Sequence, residues 1–184
     1  MGVATVSVSL DYFPYGFKAV GSQCKHDQKY IVREKYMPMK QKVRILDGKS
    51  PELYLAVGRL VLSPACLREN NNYPYKSSRM FTWHVLYHED RVVAFMPVER
   101  KPGGGYKIDN YYATPDRERG NQLLKLLKSV IKERGDETSP LRATVQQRDT
   151  GIFKYMNFVT IRETRLYAMM ELVRTGSESG KQDG

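Results

Sequence analysis

Residues 80–113, MFTWHVLYHEDRVVAFMPVERKPGGGYKIDNYYA, are dense in Val, Phe and Tyr and are interrupted twice by turn formers. The pattern predicts three successive strands, 80–88, 91–99 and 106–113, joined at Glu89-Asp90 and at Lys101–Gly105. Links this short cannot carry a crossover, so the strands pair as an antiparallel meander. Such a sheet needs its apolar faces covered, and the chain that follows supplies a cover. A helix predicted over 117–134 puts Leu123, Leu127, Val130 and Ile131 on one face and Lys125, Lys128 and Lys132 on the opposite, solvated one.

A strand at LRATVQQ, a short helix at DTGIFKYMN and two last strands near FVTIRET and LYAMMELV complete the C-terminal half. Upstream, KSPELYLAVGRLVLSP reads as a helix in which Ser50 caps, Pro51 suits the first turn and Glu52 complements the dipole. Leu53, Ala56, Val57, Leu60 and Val61 then share a face. Pro64 ends that helix or begins a short second one, and RENNNYPYKSSR is a polar loop suited to meeting a substrate. VATVSVSL, residues 3–10, alternates as a half-buried strand does. The block 22–37 reads as a helix capped by Ser22, although KYIVREKY also alternates like a strand. This order predicts an α+β fold around one mixed, mostly antiparallel sheet with helices on both faces. We expect a single domain over 1–174, with an N-terminal part at 1–79 and a core at 80–174, and a disordered tail at 175–184.

With 184 residues, 41% of them hydrophobic, the chain can bury one substantial core. Its formal net charge of +10 favours anionic partners such as phosphates, nucleic acid or an anionic cofactor. From Lys25 to Lys49, eight Lys/Arg stand against three Asp/Glu, a patch suited to a polyanionic acceptor. Tyrosines interleaved with basic residues can stack on bases, though tyrosines also simply pack well in strands. Cys24 and Cys66 lack CxxC spacing and the three histidines form no zinc pattern, so no metal is expected and reduced thiols in the cytoplasm are the default. The N-terminus does not read as a signal peptide, Val6 breaks the myristoylation pattern, and no apolar run approaches the roughly 20 residues of a membrane span.

In element order, residues 80–173 resemble the GCN5-related N-acetyltransferase (GNAT) family. That family places a Pro after its fourth strand, then Arg/Gln-x-x-Gly-x-Gly/Ala opening a helix. Here TPDRERGNQLLKLL supplies Pro115, Arg117 and Gly120. The spacing from the proline is one residue short, and Gln122 stands at the second small position. The resemblance implies that the turn from Thr114 to Gln122, including Arg119, Gly120 and Asn121, cradles the pyrophosphate of acetyl-CoA or another acyl-CoA. A helix N-terminus offers free N–H groups to such an anion, and the two arginines add charged donors. Splayed fourth and fifth strands are also implied. The backbone of Tyr111, Tyr112 and Ala113 would face Val145, Gln146 and Gln147 across the splay, with a fourth-strand amide polarising the acyl oxygen.

VQQRDTGIFKYMNFV resembles the family's second signature, an Asn after the fifth strand and then a short helix ending in Tyr-x-x-x-Gly-Phe. Gln146 stands at the Asn position, Asn157 at the Gly position and Phe153 at the Tyr position. The family tyrosine commonly protonates the departing thiolate, so Tyr155, with a rotated short helix, is the candidate for that proton, and another group or water is the alternative. Asp109, on the presumed fourth strand, is the candidate base, and alternation puts it on the same face as Tyr111. His84 and His88 share a face with Leu86, where packing is the simpler role and a proton relay the alternative. The resemblance thus implies acyl transfer to a primary amine, with the acceptor open. Two rivals use the same scaffold, a non-catalytic nucleic-acid-binding protein and an acyl-CoA-binding regulator that does not transfer.

Overall fold

The structure, a computed structural model, describes residues 41–134 and 139–174. They fall within a compact unit bounded by Pro38 and Gly184. The strand expected at 3–10, the helix expected at 22–37 and the tail at 175–184 lie outside the described residues, as does most of the basic run Lys25–Lys49.

The meander forms as its pattern demands: β2 (Phe81–His88), β3 (Arg91–Arg100) and β4 (Tyr106–Ile108) pair antiparallel in succession. Glu89 takes the first turn at φ 55°, and Gly104 and Gly105 take the second at φ 88° and 80°. At Gly105 a Cβ would stand 2.8 Å from Pro140 O, so backbone conformation and space both exclude a side chain.

Before the meander, β1 (Gln41–Asp47) pairs with β2 as an edge strand. Sequence patterning misses it, because QKVRILD buries only Leu46 and breaks alternation between Val43 and Leu46. Then α1 (Pro51–Val61) starts where expected, with the Ser50 Oγ accepting from Leu53 N at 3.2 Å. Pro64 begins a second helix, α2 (Pro64–Glu69), capped by Ser63 in the same way at 3.2 Å.

After the meander come β5 (Tyr112–Ala113), α3 (Arg119–Arg134), β6 (Leu141–Gln146), a 3-10 turn at Gln147–Asp149, α4 (Thr150–Tyr155), β7 (Phe158–Glu163) and β8 (Tyr167–Leu172). Among the described residues the sheet order is β1-β2-β3-β4-β6-β8-β7, with β5 paired to β3 alone. All pairings are antiparallel except β4 with β6, whose connection passes through α3.

Side chains alternate across this sheet into two cores. Ala94, Met96 and Val98 pack with Leu123, Leu126, Leu127 and Val130 of α3, while Phe95, Trp83 and Val85 pack with Leu53 and Val57 of α1. Burying each leucine of α3 stabilises the unit by about 1.5–3 kcal/mol. Lys125, Lys128 and Lys132 stay exposed on the far side of α3. Helices therefore cover both faces of one mixed sheet, as expected. No helix of the described residues is long and apolar enough to cross a membrane.

Candidate active site

The strand expected over 106–113 is interrupted. Val98 faces Ile108 and Phe95 faces Tyr112, so Asp109, Asn110 and Tyr111 stand against only Met96 and Pro97. One surplus residue makes a bulge. Pro97, which has no amide hydrogen to give, sits in the facing strand where such interruptions are tolerated. The bulge shifts the phase of the alternation. Asp109 is exposed while Tyr111 is 2% exposed in the core under α3, so the two do not share the simple alternating relationship expected from sequence.

The bulge also opens a wedge. Parallel pairing of β4 with β6 ends at Ile108 and Ala143, and from there β5 follows β3 while β6 continues beside β8. Between Tyr112-Ala113 and Val145-Gln146 no strand is paired among the described residues. This is the splay expected between the two strands.

Side chains reach into and across that wedge. The Tyr111 phenol accepts from Gln146 N–H at 3.1 Å and donates to Asp149 Oδ2 at 2.9 Å. Burial first, and the adjacent Asp149 charge second, push this phenol well above its ordinary pKa. Arg119 Nη2 meets the same Asp149 oxygen at 2.8 Å, and its Nη1 donates to Ala113 O at 2.7 Å. The Asp149 side chain is 4% exposed and that of Arg119 15%. Asp149 is therefore central to the site, yet sequence reasoning passed over it. Its partners lie 38 and 30 residues away, and its local context, QQRDT, reads as a helix start.

At the turn into α3, the structure divides the expected cradle. Arg119 is turned inward onto Ala113 and Asp149, whereas Arg117 is exposed. Thr114 is tied to β3, its N–H and hydroxyl both donating to Val93 O at 2.9 and 2.8 Å. Gln122, the departure from a small residue, is buried and braces the turn: its Oε1 accepts from Thr114 N at 3.1 Å and its Nε2 lies 3.3 Å from Asp116 Oδ1. Asp116 Oδ1 also accepts from Glu118 N at 2.8 Å, so a carboxylate already stands at the helix N-terminus. Asn121 is exposed, its amide donating to Glu118 Oε2 at 3.0 Å. Among the described residues, a Cβ on Gly120 would meet only Ile152, at 3.8 Å. In the first turn of α3, Arg119 N–H donates to Asp116 O at 3.2 Å and Gln122 N–H to Glu118 O at 2.9 Å, so among the described residues the amides of Gly120 and Asn121 are the ones left to a phosphate, while Asp116 opposes one.

Elsewhere Tyr112, 8% exposed, stacks on Phe95 at 5.5 Å on the α1 side. Val145 is fully buried, and Gln146 Nε2 donates to Glu69 O at 2.8 Å. Phe153 is buried between Tyr111 and Phe158, at ring distances of 5.7 and 5.3 Å. Tyr155 is 75% exposed and lines a separate cavity with Met156 and Val173 instead of the wedge. The reason is helical phase: residues two apart differ by about 200°, so burying Phe153 turns Tyr155 outward. Asn157 holds φ 64°, the left-handed conformation expected at the glycine position.

Asp109 contacts Lys107 Nζ at 2.9 Å. Burial raises its carboxyl pKa, but hydrogen bonds from Lys107 and Thr144 and the charges of Lys107 and Lys101 outweigh it, and the net shift is downward. His84 is fully buried on β2, held 2.9 Å from Ser129 Oγ and 2.7 Å from Glu133 Oε2 of α3. His88 lies at the far end of the same strand, and both are separated from the wedge by β3.

No family model and no curated protein sequence matches the chain. Solved structures do. ElaA from Escherichia coli is 13% identical with a TM-score of 0.55, over 73% of this chain and 100% of that one. An acyl-CoA N-acyltransferase from Pseudomonas aeruginosa is 12% identical with a TM-score of 0.55, over 73% and 100%. The ribosomal-protein-S18-alanine N-acetyltransferase from Escherichia coli is 13% identical with a TM-score of 0.55, over 76% and 98%. At these identities the likeness speaks for architecture. The bulged strand, the wedge and the parallel crossover through α3 complete it, and the chain has the fold of the GCN5-related N-acetyltransferases.

Proposed function

We propose that this protein is an acyl-CoA-dependent N-acyltransferase that moves acetyl from acetyl-CoA to a primary amine. The observation that carries this reading is the wedge between β5 and β6, opened by the bulge at Asp109–Tyr111 beside the N-terminus of α3. An extended acyl-thioester arm fits a gap between splayed strands by pairing with exposed backbone, as an added strand would. The amides of Gly120 and Asn121 at the start of α3 and the exposed Arg117 would hold the pyrophosphate.

In the reaction a neutral amine nitrogen attacks the thioester carbonyl, the C–N bond forms, the C–S bond breaks, and one proton passes from nitrogen to sulfur. An amide of the 111–113 backbone would polarise the acyl oxygen. Tyr111 is the phenol in the wedge, so we assign the proton donor role to it in place of Tyr155. Its raised pKa keeps it protonated through the working range, and it gives its hydrogen bond to sulfur as negative charge builds there. Asp149 retains Arg119 as partner when the phenol turns away. Asp109, paired with Lys107 and held low, is a weak base, so the amine proton leaves to solvent, and a solvent proton restores the Tyr111 phenol after it has given its own to sulfur.

The test is calorimetric titration of the purified protein with acetyl-CoA, followed by thiol release in the presence of amines. Saturable micromolar binding with amine-dependent release supports the reading. Binding without release would leave an acyl-CoA-binding protein, and the absence of binding would sink both.

A further inference from the structure

On the β6 side of the wedge, where Gln146 ends the strand, lies a cavity of about 240 Å³ whose lining includes Arg68, Glu69, Gln146, Arg148 and Arg165. Its position follows from Gln146: the backbone N–H of that residue reaches the Tyr111 phenol, while the residue also forms the cavity wall. A molecule seated here touches Gln146, the residue whose backbone N–H binds the phenol proposed to serve the leaving sulfur.

The charge of the lining is unbalanced. Three arginines face one glutamate, and that glutamate is already engaged, its Oε2 lying 2.9 Å from Arg148 Nη2. Arg148 Nη2 also donates to Glu69 O at 2.8 Å. Arg68 and Arg165 have no ion-pair partner among the described residues. Arg68 comes from α2 and Arg165 from the β7–β8 turn, so two separate elements converge on the cavity with unspent charge. Asn71 and Asn72, both left-handed at φ 51° and 61°, turn the chain out of α2, and Asn71 Nδ2 ties that rim to Tyr167 OH at 2.7 Å.

An arginine fork matches a carboxylate in two parallel hydrogen bonds. At about 30 Å³ per water, the cavity holds on the order of eight, which suits a group the size of an amino acid and is small beside a drug-sized pocket. Resting on the acyltransferase reading above, we infer that the amine acceptor is an amino-acid-sized molecule bearing a carboxylate, bound by Arg68 and Arg165, with its amine turned toward the Tyr111–Gln146 junction.

The test compares free amino acids with their methyl esters as acceptors, using thiol release from acetyl-CoA and the full chain. Esterification lowers the amine pKa and so favours the ester intrinsically. A kcat/KM at least tenfold higher for an acid than for its ester would therefore report recognition of the carboxylate. In Arg68→Ala/Arg165→Ala that ratio is expected to collapse toward one through KM. Equal use of acid and ester, no turnover with any amino acid, or a ratio unmoved by the double substitution would overturn the inference. A preference for phosphoethanolamine over every amino acid would replace the carboxylate with a phosphate. Acetyl-CoA titration of the same samples separates the two levels: binding with no acid preference removes only this inference, and no binding removes the acyltransferase reading with it.

Discussion

Tyr111 and Asp149, 38 residues apart in sequence, are joined by a 2.9 Å hydrogen bond in which the buried phenol donates to Oδ2. The same phenol oxygen accepts from Gln146 N–H at 3.1 Å, so one hydroxyl bridges the two strands that diverge to form the wedge. Structure and chemistry are coupled at this group: the hydroxyl that holds the wedge is the one assigned to protonate sulfur.

Replacing Tyr111 by Phe keeps the ring against Phe153 and removes only the hydroxyl. It leaves Gln146 N–H without that acceptor, a cost of about 1–3 kcal/mol. Turnover is expected to fall by roughly 10²- to 10⁴-fold, the range for loss of a positioned proton donor, while the KM for acetyl-CoA stays nearly unchanged. Steady-state kinetics at saturating amine measures both. Unchanged kcat in a folded variant would return the role to water or another residue.

The two arginines of the turn are expected to part company. Arg117→Glu, at an exposed position, should leave the melting temperature nearly unchanged and raise the acetyl-CoA Kd at least tenfold, about 1.4 kcal/mol. Arg119→Ala strips the nearer of two charged partners from an Asp149 side chain that is only 4% exposed, leaving it the Tyr111 hydroxyl and Arg148 Nε at 3.9 Å. Breaking such a pair costs about 3–5 kcal/mol, or a melting shift of roughly 6–20 °C for a protein of this size. Differential scanning calorimetry beside CoA titration separates them, and a Kd indifferent to Arg117→Glu would rule out its contact with the pyrophosphate.

Much of the fold was legible because its signals are local. Ser50-Pro51 and the spacing of Leu53 and Val57 specify α1, and the meander declares itself through short turns between alternating runs. The bulge was not legible: three residues against two is a property of register, visible only once Val98 and Phe95 have found their partners, although Pro97 was a hint. Asp149 was missed for the same reason, since its role exists only through Tyr111 and Arg119. The splay itself follows from the resemblance, which sets Tyr111, Tyr112 and Ala113 opposite Val145, Gln146 and Gln147, and β5 and β6 are not paired with each other among the described residues. Tyr155 faces elsewhere because a six-residue helix has a phase that Phe153 had already fixed.

Asp116 is expected to weaken acyl-CoA binding. Its carboxylate accepts from Glu118 N–H at 2.8 Å, at the helix end where a phosphate would add more negative charge. Asn caps about as well as Asp, so Asp116→Asn should hold the turn while removing the repulsion. The Kd for acetyl-CoA is expected to fall by about threefold at low ionic strength, with the gain fading as salt is added. Titrations at two salt concentrations decide it, and weaker binding in the variant would mean that the phosphate approaches from another side.

The last expectation concerns acid stability and the second buried cluster. Contact with His84 chiefly, with the Arg134 charge helping against burial, holds the Glu133 carboxyl below its ordinary value of 4.5. A carboxyl depressed on folding contributes stability that is fully present above 4.5 and lost as pH falls through its lower folded value. Asp109, lowered from 3.8, acts in the same direction. Urea midpoints should therefore decline as pH drops from about 5 to 3. Glu133→Gln should be less stable than the parent at pH 6, by an amount on the order of 1 kcal/mol, and the gap should narrow as pH falls below 4.5 and the parent's carboxyl protonates. A gap independent of pH would assign Glu133 to packing and leave acid sensitivity to Asp109 and the other carboxylates.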